Sequence, residues 1–291
     1  MASTMLSFSD NSLSTSFLSM DELRAKCPMA FKEEATNPNV SKKYVVATTK
    51  DVVEDLAKLG WMPVEAKQCR PRKGSSGIRS LHMIAFQNPD VRISKANDDG
   101  TETVDAYPRI ILTNSHDGFN SFKFMVGLFR LVCSNGLVVA SDEMVNMSIR
   151  HINYDFEALR AVVGSAIKQV PNIVCTMNTM KNTVLDEESK KELAAEVVKI
   201  RKDIPEDGKL DISKEDIMDI LMPKREEDKA DDLWTVFNVC QEKLIKGGYS
   251  STGKNNKARK QRGITSIKKD IDYNQRLWNV AMRYMPAVAT A

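Results

Sequence analysis

Strand signals occupy the chain between residues 61 and 151, and helical periodicity takes over from residue 154. That order constrains the fold more than any single motif. Val64 to Cys69, Leu81 to Phe86 and Arg109 to Thr113 are short runs of strand character. Lys73-Gly74-Ser75-Ser76-Gly77 and Asn97-Asp98-Asp99-Gly100 punctuate them; such residues supply positive φ or bond to their own backbone. The block from 61 to 113 therefore reads as an antiparallel meander, followed by strands over Leu137 to Ala140 and Met147 to His151. Ser121 to Cys133 fits two periods. Phe122, Phe124, Val126 and Leu128 alternate as a strand does, whereas Met125, Leu128, Phe129 and Val132 recur at helical spacing. We read a helix from Phe124 to Ser134, closed by Asn135-Gly136.

Helices are expected over Met20 to Cys27, stopped by Pro28, and over Thr49 to Leu59, with Thr49 as the cap and Gly60 as the end. Tyr154 to Ile173 and Val184 to Ile204 follow, the second with an acidic first turn and a basic last turn. Ser213 opens a short helix that ends before Pro223; Leu233 to Ile245 and Asp272 to Met285 are the last two. Strands first and helices after predict an α+β protein: a twisted antiparallel sheet backed by helices 154–173 and 184–204, with helical N- and C-terminal parts. The expected organisation is a flexible N-terminal arm (1–19), an α+β core (20–204), an acidic connecting region (205–232) and a helical C-terminal part (233–291) with a basic loop over 249–271.

The five cysteines are odd in number and form no CxxC pair, which argues against a disulfide scaffold or a zinc knuckle. No apolar run reaches membrane-spanning length, and the Ser-rich N-terminus lacks the basic and apolar regions of a secretory signal. Two polar clusters, Asn114-Ser115-His116-Asp117-Gly118 and Cys133-Ser134-Asn135-Gly136, end apolar runs. His116, Asp117, Arg130, Cys133 and Asn135 are the catalytic candidates if the clusters converge. Against this, Ser115, His116 and Asp117 are consecutive, whereas a triad is assembled from separate elements, and these residue types are turn formers. A metal site of His82, His116 and His151 with Asp117 lacks ligand spacing, and phosphate-loop and dinucleotide signatures are absent, so neither metal nor cofactor is expected.

A net charge of +3 says little; its distribution says more. Arg70, Arg72, Lys73 and Arg79 crowd a stretch with no acid from Cys69 to Gln87. Gly253 to Lys269 carries Lys254, Lys257, Arg259, Lys260, Arg262, Lys268 and Lys269, again with no acid. Such segments suit phosphates, because each one neutralised releases a counterion. Tyr249 and Tyr273 flank the second segment and are expected to stack on bases. The acidic region between, over Pro205 to Asp232, is either a solvated connection or a dock for the basic loop.

The pieces SMDELRAKCPMAF, SKKYVVATTKDVVEDLAKLGWMPVEAKQCRPR, HMIAF, ILTNSHDG, FRLVCSNGLVV, RHINYD, DDLWTVFNVCQEKLIKGGY and RGITSIKKDIDYNQRLWNVA carry a resemblance over roughly residues 19 to 282. They resemble domain-of-unknown-function family 932, the phage/plasmid-like proteins of mobile elements and prophages. The resemblance implies a phage, prophage or plasmid origin and a cytoplasmic location in a bacterial host, and it carries over no catalytic residue. With the basic segments, it leads us to expect a non-enzymatic nucleic-acid-binding protein, single-stranded DNA favoured, serving strand annealing or recombination. Two alternatives stay open: a host-takeover or counter-defence protein that binds a host protein, and an enzyme built on the two polar clusters. A homo-oligomer is compatible with these readings; a membrane partner is not expected.

Overall fold

The computed structural model of the chain describes residues 4–8, 16–35, 37, 39, 48–69, 81–96, 99–117, 122–130, 136–139, 148–149, 155–205, 207–252 and 258–286. It divides into two compact units, residues 1–130 with 138–172 and residues 131–137 with 173–291.

The first unit is built on a sheet of eight strands. These are β1 (Thr4–Phe8), β2 (Met62–Gln68), β3 (His82–Gln87), β4 (Val91–Ala96), β5 (Glu102–Asn114), β6 (Phe122–Arg130), β7 (Gly136–Val139) and β8 (Ser148–Ile149). The register shows how they are laid out. β3 pairs antiparallel with β5 from His82↔Asn114 to Gln87↔Arg109, and β4 pairs antiparallel with the same strand from Ile93↔Ala106 to Ala96↔Glu102. β3 and β4 are therefore two halves of one long strand along one edge of β5. They are interrupted at Asn88-Pro89-Asp90, where proline lacks an N–H and Asp90 N donates to Asn88 Oδ1 at 2.9 Å. β2 lies outside β3, β1 lies outside β4, and β6 takes the other edge of β5. β5 is thus the central strand, and Ile110, Ile111 and Leu112 are all buried, as in a strand covered on both faces. The helices α1 (Met20–Lys26) and α2 (Thr49–Lys58) pack beside β2, with Leu23, Val52, Val53 and Leu56 buried.

One expectation is corrected here. The segment read as a helix from Phe124 to Ser134 is the strand β6, Phe122–Arg130, paired with β5 from Ala106↔Arg130 to Thr113↔Lys123. Phe124, Met125, Val126 and Leu128 are all buried. A run apolar on both sides satisfies either period, and the unpaired edge of β5 decides for the strand. The remainder of the expected helix, residues 131–134, lies outside the described residues.

α3 (Phe156–Asn182) starts in the first unit and ends in the second. It runs past the expected end at Ile173 and through Pro171. A proline inside a helix costs about 3 kcal/mol, yet Ile173, Val174, Met177 and Met180 continue beyond it the buried face that Val170 belongs to. The second unit then holds α4 (Glu187–Arg201), α5 (Lys214–Leu221), α6 (Leu233–Lys246), the hairpin β9 (Ser250–Thr252) with β10 (Ala258–Lys260), and α7 (Ile267–Met282). Asp186, Ser213, Asp232 and Ser266 cap the four helices, each accepting a backbone N–H in the first turn. α4 packs on α5, α6 and α7. α6 is buried from Leu233 to Leu244, so it forms the axis of this unit. α7 begins at Ile267, ahead of the expected Asp272. Among the described residues, no helix is long and apolar enough to cross a membrane.

Candidate nucleic-acid interface

The sheet places the first polar cluster at the end of β5, under the start of α2. Two threonines, Thr48 and Thr49, stand at that helix end. Thr48 caps α2, accepting from Asp51 N at 3.1 Å. Thr49, expected to be the cap, is instead fully buried, with its hydroxyl 2.7 Å from His82 Nε2 and 3.5 Å from His116 Nε2. Asn114 Nδ2 donates to the same hydroxyl at 3.0 Å. A hydroxyl offers one donor and two acceptor positions, so all three contacts are met when Thr49 donates to His82 and accepts from Asn114 and His116. The two imidazoles stack with centroids 5.5 Å apart. Ser115 and Asp117 turn to each other, the Ser115 hydroxyl donating to Asp117 Oδ1 at 2.5 Å, and Asn37 Nδ2 donates to the Asp117 carbonyl at 3.1 Å. His82, Asn114, Ser115 and His116 are all 0% exposed. This is a buried hydrogen-bonded knot joining β3, β5 and α2.

Of the remaining catalytic candidates, Arg130 is the last residue of β6, while Cys133 and Asn135 lie outside the described residues, as does His151. Cys27 and Cys240 are packed, and burial pushes both thiols up to about 12, which withdraws them from nucleophilic chemistry. Among the described residues, no group of three or more His, Cys, Asp or Glu side chains is placed to hold a metal ion.

The described part of the second basic segment, residues 258–269, begins on a braced hairpin. Arg259 pairs with Ser251 and Lys260 with Ser250 in the β9–β10 register. The ladder continues below it: Gly248 N donates to Gln261 O at 2.9 Å, and Gln261 N donates to Tyr249 O at 2.8 Å. Gly247 has φ 71°, and a Cβ there would meet Gln261 O at 2.5 Å, so only glycine lets the two chains approach. Arg201 of α4 ties the exit, donating to the carbonyls of Leu244 at 3.0 Å and Arg262 at 2.5 Å. Asp219 of α5 ties the entry, accepting from Ser250 N at 2.7 Å. That bond, aided by the nearby Lys243 ammonium and opposed by partial burial, holds the Asp219 carboxyl below its usual value. Asp219 is thus one acid of the 205–232 region that reaches the basic segment.

Arg259, Lys260, Arg262 and Lys268 are exposed on this frame. Among the described residues none of the four pairs with a carboxylate. Lys269 differs: its ammonium donates to Asp203 at 2.8 Å and to the Tyr273 hydroxyl at 3.0 Å. Lys254, Lys257, Arg70, Arg72, Lys73 and Arg79 lie outside the described residues. The flanking tyrosines require a correction. Tyr249 is 0% and Tyr273 1% exposed, so neither ring is available to stack on a base. The Tyr273 hydroxyl donates to Asp203 Oδ1 at 3.0 Å, and both rings lie in the interior of the second unit.

The family described as Domain of unknown function (DUF932) matches residues 38–278. The chain belongs to the DUF932 family. The matched span covers both the buried knot and the hairpin of this DUF932 chain, and it bears out the resemblance drawn from ILTNSHDG and FRLVCSNGLVV. Two proteins of Escherichia coli (strain K12), UPF0380 protein YafZ and UPF0380 protein YfjQ, are each 28% identical to it over 268 residues, covering 91% of this chain and 90% of theirs. No solved structure matches it.

Sequence reasoning missed Thr49 as a partner of His82 and His116, and it missed Arg201, Asp219 and Gly247 as braces. The Thr48-Thr49 pair was a visible signal, since only one of two adjacent threonines can cap. Arg201 and Asp219 carried none, because their roles are set by segments tens of residues away.

Proposed function

We propose that this protein binds nucleic acid through the surface formed by β10, the segment after it and the start of α7. The observation that carries the reading is the set of four exposed cations, Arg259, Lys260, Arg262 and Lys268, that pair with no carboxylate among the described residues. Three other cations of the same unit are matched: Arg225 with Glu242 and Asp228, Lys190 with Asp231, and Lys269 with Asp203. Lys268 also stands in the first turn of α7, where the helix dipole disfavours a cation by about 0.3–1 kcal/mol. A polyanion at this face offsets that misfit. The buried knot at Thr49, His82 and His116 supports a packing role better than a chemical one, since its side chains are turned to one another and away from solvent.

A salt titration tests the proposal. The full chain should bind labelled DNA at low salt, with log affinity falling linearly in log salt by about 0.7–0.9 for each phosphate contacted. The quadruple variant R259Q/K260Q/R262Q/K268Q should bind more weakly and with a shallower slope. No binding to either single- or double-stranded DNA at low salt, or an unchanged slope in the variant, would sink it.

A further inference from the structure

We infer that the ligand of this face is duplex DNA, engaged by the β9–β10 ribbon, and that single strands are the weaker ligand; the inference rests on the nucleic-acid reading above. Three observations carry it. First, proteins that hold single strands without sequence preference stack bases on exposed aromatic rings, worth about 1–3 kcal/mol per base. Among the aromatic side chains whose burial is described none is exposed, and the two tyrosines next to the cations are closed into the unit's interior. The face therefore offers charge and backbone without a stacking platform, which suits a ligand whose bases are already stacked on each other.

Second, the cations stand on a two-stranded antiparallel ribbon. The major groove of B-form DNA, about 12 Å wide, admits either such a ribbon or a helix. Of the two helices that flank the ribbon in sequence, α6 is buried from Leu233 to Leu244 and α7 buries one face through Ile267, Tyr273, Leu277 and Trp278, whereas the ribbon presents Arg259 and Lys260 to solvent and is the element we assign to the groove. Third, the ribbon's base is braced on both strands, at Ser250 by Asp219 and at Arg262 by Arg201. A braced array of cations matches phosphates held at fixed spacing, as in a duplex, and gains less from a flexible strand that must be ordered on binding. Arg262 and Lys268 follow the ribbon and would meet the flanking phosphates, while Arg259 and Lys260 stand on the ribbon itself.

The test compares three probes of one sequence by fluorescence anisotropy at fixed salt: duplex DNA, its single strand and duplex RNA. Duplex DNA should bind at least about tenfold more tightly than either other probe. R259Q/K260Q should lower duplex DNA affinity by about tenfold and leave the far-ultraviolet spectrum unchanged. K229Q, at an exposed lysine paired with Glu226, should behave as wild type. Should R259Q/K260Q misfold, K268Q alone carries the same readout from α7. A single strand bound as tightly as the duplex overturns the duplex inference and leaves the nucleic-acid reading standing. Equal affinity for duplex RNA overturns groove entry, because the A-form major groove is too narrow for side chains to read. No binding of any probe at low salt overturns both.

Discussion

Thr49 illustrates what a single side chain decides in this protein. Its hydroxyl sits where Asn114, His82 and His116 converge, in a region with no exposed atom among the four residues. Removing it leaves buried polar groups short of a partner, and such a loss costs about 1–3 kcal/mol. Thr49→Ala should lower the urea midpoint accordingly, while Thr49→Ser, which keeps the oxygen, should stay close to wild type. Equal losses in both variants would mean that the methyl group, not the hydroxyl, is what matters. The same residue shows the limit of local reading. Thr48 and Thr49 have equal capping chemistry, and the choice between them was made by His82, which a distant part of the chain brings up. Tyr249 and Tyr273 make the point in the other direction: their sequence position beside lysines implied exposure, and packing around α6 buried them.

At the scale of elements, the hairpin depends on two braces of different physics. Gly247 is a steric requirement, with φ 71° and the backbone of residues 261 and 262 within 3 Å of where a Cβ would be. Gly247→Ala should destabilise by on the order of 1–3 kcal/mol, read as a lowered thermal midpoint. Asp219 is an electrostatic one. Its carboxyl is held low chiefly by the Ser250 N–H, so it contributes stability as the carboxylate. That contribution is complete above its ordinary value of 3.8 and is lost as pH falls through the lower folded-state value. Wild type should therefore exceed Asp219→Asn in stability at neutral pH, and the gap should close in acid. A gap independent of pH would show that the charge plays no part. β6 belongs to this scale too. Phe124, Met125, Val126 and Leu128 fill both faces of a strand, and the same residues would fill a helix all round. Only the open edge of β5, a hydrogen-bonding partner that periodicity does not register, separates the two outcomes.

On the scale of the whole molecule, two compact units divide the chain, one on a sheet centred on β5 and one on helices around α6. Each has a buried interior of its own, so all-or-none unfolding of the full chain is not expected. Calorimetry should give a measured enthalpy larger than the van't Hoff value; equality of the two would mean the units unfold as one. The sequence by itself determined the α+β class, the helix opened at Ser213, the helix beginning at Leu233, the acidic first turn at Glu187 and Glu188, and the segregation of positive charge between residues 253 and 269. These are legible because period, capping and charge depend on neighbours a few residues away. The tertiary structure alone decided that β3 and β4 are one interrupted strand, that β6 is not a helix, that Thr49 faces two histidines, and that the basic segment lies on a braced ribbon with its tyrosines buried. Each of those outcomes depends on which distant segment supplies a hydrogen-bonding edge or excludes water from a face, and that is settled only when the chain packs.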